Sequence, residues 1–170
     1  CGVGLIVSTE GKKSRKVVEY GINALKAVFH RGAVDADGKT GDGAGIHLEI
    51  PKDFFVEKIE ITGHKYDNSE ICVGMVFLPK NNYESQEICR TLIESELTKN
   101  NFNIYGWRQV PVNPKVLGSK ADQTRPEIAQ VLFRHNDKNL VGKVLERKLY
   151  ESRRKIEKQA DSISLNNFYI

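Results

Sequence analysis

The chain is 170 residues long, with 39% hydrophobic and 28% charged side chains, a balance that supports a packed core and argues against disorder. Lys and Arg number 26 against 22 Asp and Glu, a net charge of +4, and acidic neighbours stand beside most basic residues, as in Glu146-Arg147-Lys148, so no dedicated nucleic-acid face is indicated. No apolar run approaches the roughly 18 residues of a membrane span and no basic-then-apolar leader opens the chain, so the expected setting is the cytoplasm, with no membrane and no nucleic acid as partner.

Taken in chain order, Cys1 to Ser8 reads as a strand. Glu10-Gly11-Lys12-Lys13 is a turn, and Ser14 is placed to cap a helix running to about His30, with Val18, Ile22, Leu25 and Phe29 on one face. Gly32 sits where a helix C-terminal glycine belongs. Residues 33–45 form a glycine-rich loop, and Ile46 to Ile50 alternates as a half-buried strand before Pro51. The near-continuous apolar run Cys72 to Leu78 predicts a central strand, ended by Pro79.

Tyr83 to about Lys99 predicts a second amphipathic helix on Ile88, Leu92, Ile93 and Leu97, terminated by Asn100-Asn101. Ile104 to Val112 predicts a strand around Trp107, and the β-branched content of Ile128 to Phe133 favours another. Leu140 to about Gln159 predicts a third helix, with Val141, Val144, Leu145 and Leu149 inside and a charged, solvated outer face. Asn167-Phe168-Tyr169-Ile170 reads as the start of a strand cut short, an uncommon place for a domain to end.

Cys1, Cys72 and Cys89 are an odd count with no C-x-x-C pair, so neither a disulfide framework nor a four-ligand zinc site is indicated. His30, His47, His64 and His135 are scattered, with no H-E-x-x-H helix, and no metal site is expected.

Met75 is the only methionine, so position 1 is not an initiator. Two readings of Cys1 stand. In one it is a small apolar residue that happens to come first. In the other it carries a nucleophile and a general base together, because a free α-amino group with a pKa of about 7.7–8.0 can take the thiol proton directly or through a water. Gly2 and Gly4 would let substrate or backbone approach closely beside that thiol.

The densest feature is the run from His30-Arg31-Gly32-Ala33 to Thr40-Gly41-Asp42-Gly43-Ala44-Gly45. It lacks the Gly-Lys-Ser/Thr of a phosphate loop, it does not join a strand to a helix as a dinucleotide fingerprint does, and it lacks the alternating acidic ligands of an EF-hand. It is either a tight hairpin-like connection with glycines at positive φ, or the wall of a substrate pocket with Arg31 available for a carboxylate. Lys39-Thr40-Gly41 and Ser152-Arg153-Arg154-Lys155 match fragments of the penicillin-binding pattern, but in reversed order and without Ser-Asp-Asn between them.

Cys1-Gly2-Val3-Gly4, His30-Arg31-Gly32-Ala33 and Thr40-Gly41-Asp42-Gly43-Ala44-Gly45-Ile46 together resemble the start of the glutamate synthase large subunit, which opens with a class II glutamine amidotransferase domain. Val73 to Pro79, Gly106 to Val112 and Glu146 to Tyr150 continue the likeness in the same order. The resemblance implies an N-terminal-nucleophile (Ntn-type) α+β fold, a four-layer αββα sandwich of which residues 1–170 would be the N-terminal, incomplete part. It implies that Cys1, exposed by removal of a leader, attacks the side-chain amide of L-glutamine, giving a γ-glutamyl thioester and ammonia. Arg31 and Gly32 would lie in the glutamine pocket as substrate-binding residues.

The family's oxyanion hole comes from an Asn-Gly pair, and glutamine's α-groups are held by an arginine and an aspartate further along. No Asn-Gly pair occurs here, and His135-Asn136 is followed by Asp137, so these roles are expected to lie outside residues 1–170. Losing one oxyanion donor costs about 10²–10³ in rate, so the isolated chain is expected to be nearly inactive. The resemblance places FMN and an iron–sulfur cluster in the parent enzyme and none in this chain, with the rest of the large subunit and a small subunit or ferredoxin as partners. The alternatives are an inactive structural piece, or another class II amidotransferase making an amino sugar or purine precursor; the Thr-Gly-Asp-Gly-Ala-Gly insertion argues against the latter.

Overall fold

A computed structural model describes residues 2–170. Its elements in chain order are α1 (Arg15–Ala27), α2 (Lys52–Ile61), β1 (Cys72–Leu78), α3 (Tyr83–Lys99), β2 (Phe102–Gln109), α4 (Ser119–Thr124), β3 (Glu127–His135) and α5 (Gly142–Ser162), with 3-10 turns at Phe29–Arg31 and Pro114–Val116. Helices and antiparallel strands are mixed along the chain, an α+β arrangement. The chain divides into two compact units: residues up to Glu49 with Asn113–Thr124, and Ile50–Val112 with Arg125–Ile170.

The larger unit is built on an antiparallel sheet in the order β1-β3-β2. Side chains alternate across a strand, so each strand serves two faces. On one face Val76 and Leu78 of β1, Phe102 of β2 and Val131 and Phe133 of β3 pack against Cys89, Ile93 and Leu97 of α3 and Leu145, Ile156 and Ala160 of α5. On the other, Leu132 of β3 and Tyr105 of β2 meet Phe55 and Ile59 of α2 and Ile71. Each fully buried aliphatic side chain contributes about 1.5–3 kcal/mol.

β3 is therefore the strand buried on both faces, and it occupies the central position expected for β1. The apolar run of β1 read as doubly covered, yet Met75 on its second face is 41% exposed. Gly74 of β1 stands opposite Val131 of β3, and an added Cβ would come 2.7 Å from Val131 Cγ1. Phe77 N donates to Tyr169 O at 2.8 Å and Tyr169 N to Phe77 O at 3.1 Å, so the strand-like ending expected at 167–170 lies antiparallel against β1.

The caps follow sequence chemistry. Asn82 Oδ1 accepts from Ser85 N at the start of α3. After its end Asn101 takes φ 66°, the left-handed conformation that asparagine tolerates best after glycine. In α5 the buried stripe is Leu145, Ser152, Ile156 and Ala160, with Leu149 half-buried, spacings of three to four residues that close one helical face. Val141 and Val144, expected inside, are 51% and 63% exposed: one precedes the helix and the other lies about 100° from Leu145 around it.

α2 carries only one pair of buried residues, Phe55 and Ile59, too little to announce a helix by periodicity. Residues 2–8, the described part of the strand expected over 1–8, and residues 46–50, also expected as a strand, are irregular, with Val3 and Leu5 fully or almost fully exposed. Alternation prepares an apolar face, but a strand also needs a partner backbone, and among the described residues no strand pairs with either segment. No helix among the described residues is long and apolar enough to cross a membrane.

Candidate functional site

The smaller unit holds the region to which sequence analysis assigns chemistry. Ser14 Oγ accepts from Lys16 N and starts α1, whose apolar face, Val18, Ile22 and Leu25, is half-buried. The helix ends at Ala27, and a 3-10 turn completes it: Arg31 N donates to Val28 O at 2.9 Å and Gly32 N to Phe29 O at 3.0 Å. His30 Nδ1 donates to Ala27 O at 3.1 Å.

Gly32 is not a left-handed helix terminator. Its φ of −81° and ψ of 153° are extended, and its missing Cβ serves proximity instead: a Cβ there would sit 3.3 Å from Phe29 O and 3.9 Å from Asp42 Oδ2. Arg31 is exposed, and its guanidinium makes no ion pair among the described residues.

From Ala33 the chain turns back on itself. Ala33 N donates to Asp42 Oδ2 at 3.0 Å, Val34 and Gly41 form an antiparallel bridge, and Asp35 N donates to Thr40 O at 2.7 Å. Gly38, at φ 68°, takes the positive-φ position of the tip. Residues 34–41 of the glycine-rich run thus form a hairpin-like connection, which leaves the pocket-wall reading of Arg31 open beside it. Its two ends bring the Arg31-Gly32 step beside the Asp42 carboxylate.

Asp37 organises the tip. Its Oδ1 accepts from Lys39 N (3.0 Å) and Thr40 N (2.7 Å), and its Oδ2 accepts from Thr40 Oγ1 (2.6 Å). The same Oδ2 accepts from Ser119 Oγ (3.3 Å) and Lys120 N (3.4 Å) at the start of α4. Thr40 Oγ1 in turn accepts from Ala121 N, and the Lys120 ammonium pairs with Asp35 at 2.7 Å. The hydroxyl and amide of Thr40, then the amide of Lys39, hold the Asp37 carboxyl well below the usual carboxylate range. Sequence reasoning passed over this cluster; its only local signal is Asp37 three residues before Thr40, the spacing at which an aspartate caps its own turn.

Cys1, the expected nucleophile, lies outside the described residues. The two described cysteines are in the other unit: Cys72 on β1 and Cys89 on α3, both buried. Burial raises both thiols, that of Cys72 to about 12 with Glu70 and Glu146 adding to it. No group of three or more His, Cys, Asp or Glu among the described residues could hold a metal ion, so these residues do not fit an iron–sulfur cluster.

A model of the class-II glutamine amidotransferases matches residues 1–170. Among curated proteins, the glutamate synthase [NADPH] large chain of Azospirillum brasilense is 50% identical over 170 residues, covering 100% of this chain and 11% of that protein. A ferredoxin-dependent glutamate synthase of Pyropia yezoensis is 37% identical over 159 residues, 93% of this chain and 10% of that protein. The chloroplastic ferredoxin-dependent glutamate synthase 2 of Arabidopsis thaliana is 38% identical over 165 residues, 96% and 10% respectively. The chain spans about a tenth of the length of the curated relatives it matches.

Proposed function

The chain belongs to the class-II glutamine amidotransferases, and from that premise we propose that residues 1–170 are the N-terminal part of the glutaminase domain of a glutamate synthase large subunit. The observation that carries this is the extent of the likeness: half of all positions identical from the first residue to the last, against a relative of which they make up only 11%.

In this reading the Cys1 α-amino group takes the thiol proton and the sulfur adds to the γ-amide carbon of glutamine. The C–N bond then breaks, the amino group returns the proton, and ammonia leaves behind a γ-glutamyl thioester. Water, deprotonated by the same amine, adds to the thioester carbon; the C–S bond breaks, and glutamate and the free thiol are restored. Arg31, whose guanidinium is exposed and has no ion pair among the described residues, and Gly32 line the glutamine pocket. The oxyanion donors and the groups that hold glutamine's α-carboxylate and α-amino group come from residues beyond these 170.

The remaining strands of an αββα sandwich would come from the same source, and with them partners for residues 3–7 and 46–50. Ammonia passes to the rest of the large subunit for glutamate formation from 2-oxoglutarate in the cytoplasm. FMN and an iron–sulfur cluster belong to that remainder, as does the contact with a small subunit or ferredoxin.

The test is intact-mass analysis after incubation with a diazo-ketone analogue of glutamine. The complete polypeptide gains one adduct at Cys1, the Cys1→Ser variant gains none, and the 170-residue chain alone gains none. A folded complete polypeptide that gains no adduct overturns the assignment.

A further inference from the structure

We propose that Asp37 is a positioning residue for glutamine binding, holding the Arg31-Gly32 step in place by clasping the 34–41 hairpin onto the start of α4. The inference rests on the proposed glutaminase function.

The clasp has two sides within one compact unit. On the hairpin side, Asp37 fixes both the amide and the hydroxyl of Thr40, and Thr40 O receives the amide of Asp35. Thr40 is followed by Gly41, bridged to Val34, and then by Asp42, whose carboxylate takes the Ala33 amide directly after Gly32. A shift at Asp37 is therefore carried through consecutive residues to the Arg31-Gly32 step. On the other side Ser119 Oγ and Lys120 N donate to the same Asp37 oxygen that Thr40 Oγ1 uses.

The fit between the two sides leaves no slack. Gly118 is buried, and a Cβ on it would lie 2.2 Å from Thr40 Oγ1, 2.4 Å from Thr40 N and 2.5 Å from Asp37 Oδ2. Backbone cannot give way at such distances, so any side chain at 118 drives the hairpin off. Lys39 Nζ donating to Lys115 O at 2.9 Å and the Lys120–Asp35 pair brace the clasp at its rim. Surface ion pairs of this kind contribute little by themselves. The carboxylate, which gathers donors from both sides, is the group that cannot be replaced.

The test follows alkylation of Cys1 in the complete polypeptide with two reagents. The diazo-ketone analogue of glutamine reports pocket binding through the concentration giving half-maximal inactivation, KI, and chemistry through the limiting rate, kinact. Iodoacetamide, which needs no glutamine pocket, reports thiol reactivity alone. In Asp37→Asn the side-chain NH₂, whichever oxygen it replaces, faces N–H donors that a carboxylate oxygen accepts, and in Gly118→Ala the Cβ separates the two sides.

Both variants raise KI roughly tenfold or more, because a displaced Arg31-Gly32 step no longer meets the bound glutamine analogue. Both leave kinact and the iodoacetamide rate within twofold of the unsubstituted protein. Ser119→Ala, at an exposed position that removes one donor only, raises KI by a smaller factor in the same direction. Unchanged KI in Asp37→Asn and Gly118→Ala overturns the proposal, as does a parallel loss of KI, kinact and iodoacetamide reactivity, which marks a general structural role. Absence of saturable alkylation of Cys1 in the unsubstituted protein overturns the glutaminase reading itself, and the positioning role with it.

Discussion

Cys72 shows how placement decides the chemistry of a residue type. Buried beneath α3 and α5 on the inner face of β1, with two carboxylates near, it has its thiol pushed up from an ordinary 9.0 to about 12. A thiolate is the nucleophile, so Cys72 is inert at neutral pH, and Cys89, also raised by burial, behaves alike. Between pH 9 and 12 the folded chain keeps the Cys72 proton while the unfolded chain releases it. The unfolded state then binds fewer protons, and stability falls as pH rises through that window, by an amount on the order of 4 kcal/mol over its full span. Below pH 9 both states hold the proton and the contribution is constant. Urea midpoints at pH 8 and pH 10.5 measure this: the alkaline decrease is expected to be smaller in Cys72→Ala than in the unsubstituted protein, whatever the absolute cost of the cavity. An equal decrease in both would show that other groups govern the alkaline loss.

At the scale of elements, the pairing of Gly74 with Val131 locks β1 to β3. Adding one methyl group at Gly74 forces it against a β-branched side chain with a single comfortable rotamer. Gly74→Ala is expected to lower stability by about 1–3 kcal/mol, the usual cost of overpacking a sheet interior. Val131→Ala alone leaves a cavity and costs about 2–4 kcal/mol, as other buried truncations do. The double variant should be more stable than the sum of the two predicts by about 1 kcal/mol or more, because each relieves the other. Additive losses in urea denaturation would mean the backbone shifts instead. The same elements explain what was legible in advance. The helix at 83–99, the strands around 104 and 128 and the helix from 142 carry enough apolar periodicity to be read directly, and Asn100-Asn101 ends α3 as expected. The central position of β3 was not legible, since a sheet's strand order depends on which faces are covered. Nor were the ends of α5's buried stripe. For the site, Arg31 and Gly32 stand out as part of a dense motif, whereas Asp37 gains its importance from Gly118 and α4, far along the chain, which no local pattern announces.

For the whole molecule, the distribution of buried surface predicts an uneven response to solvent. The sheet and the helices α3 and α5 carry most of the buried aliphatic residues, while residues 3–7 and 46–50 expose theirs. Amide hydrogen exchange followed by mass spectrometry on the 170-residue chain is expected to show slow exchange across β1, β3 and α3, and exchange within seconds over 3–7 and 46–50. In the complete polypeptide the two fast segments should become protected, if they acquire strand partners there. Fast exchange in both contexts would remove the proposed sandwich as their destination. The exposed apolar alternation in these segments is otherwise a hazard, since an unpaired strand-like stretch is a template for association between chains.

The order β1-β3-β2 also has a consequence in time. β1 and β2 do not pair with each other; both wait for β3, which is made after them and after the α4 region. At about 5–20 residues per second of synthesis, β1 leaves the ribosome several seconds before the strand that completes its ladder. During that interval α3 is the local element available to cover the apolar face of β1, whose edge stays unpaired until β3 is made. A pause in translation between residues 110 and 125 would prolong that interval, and a chaperone that binds apolar strands would find its target there.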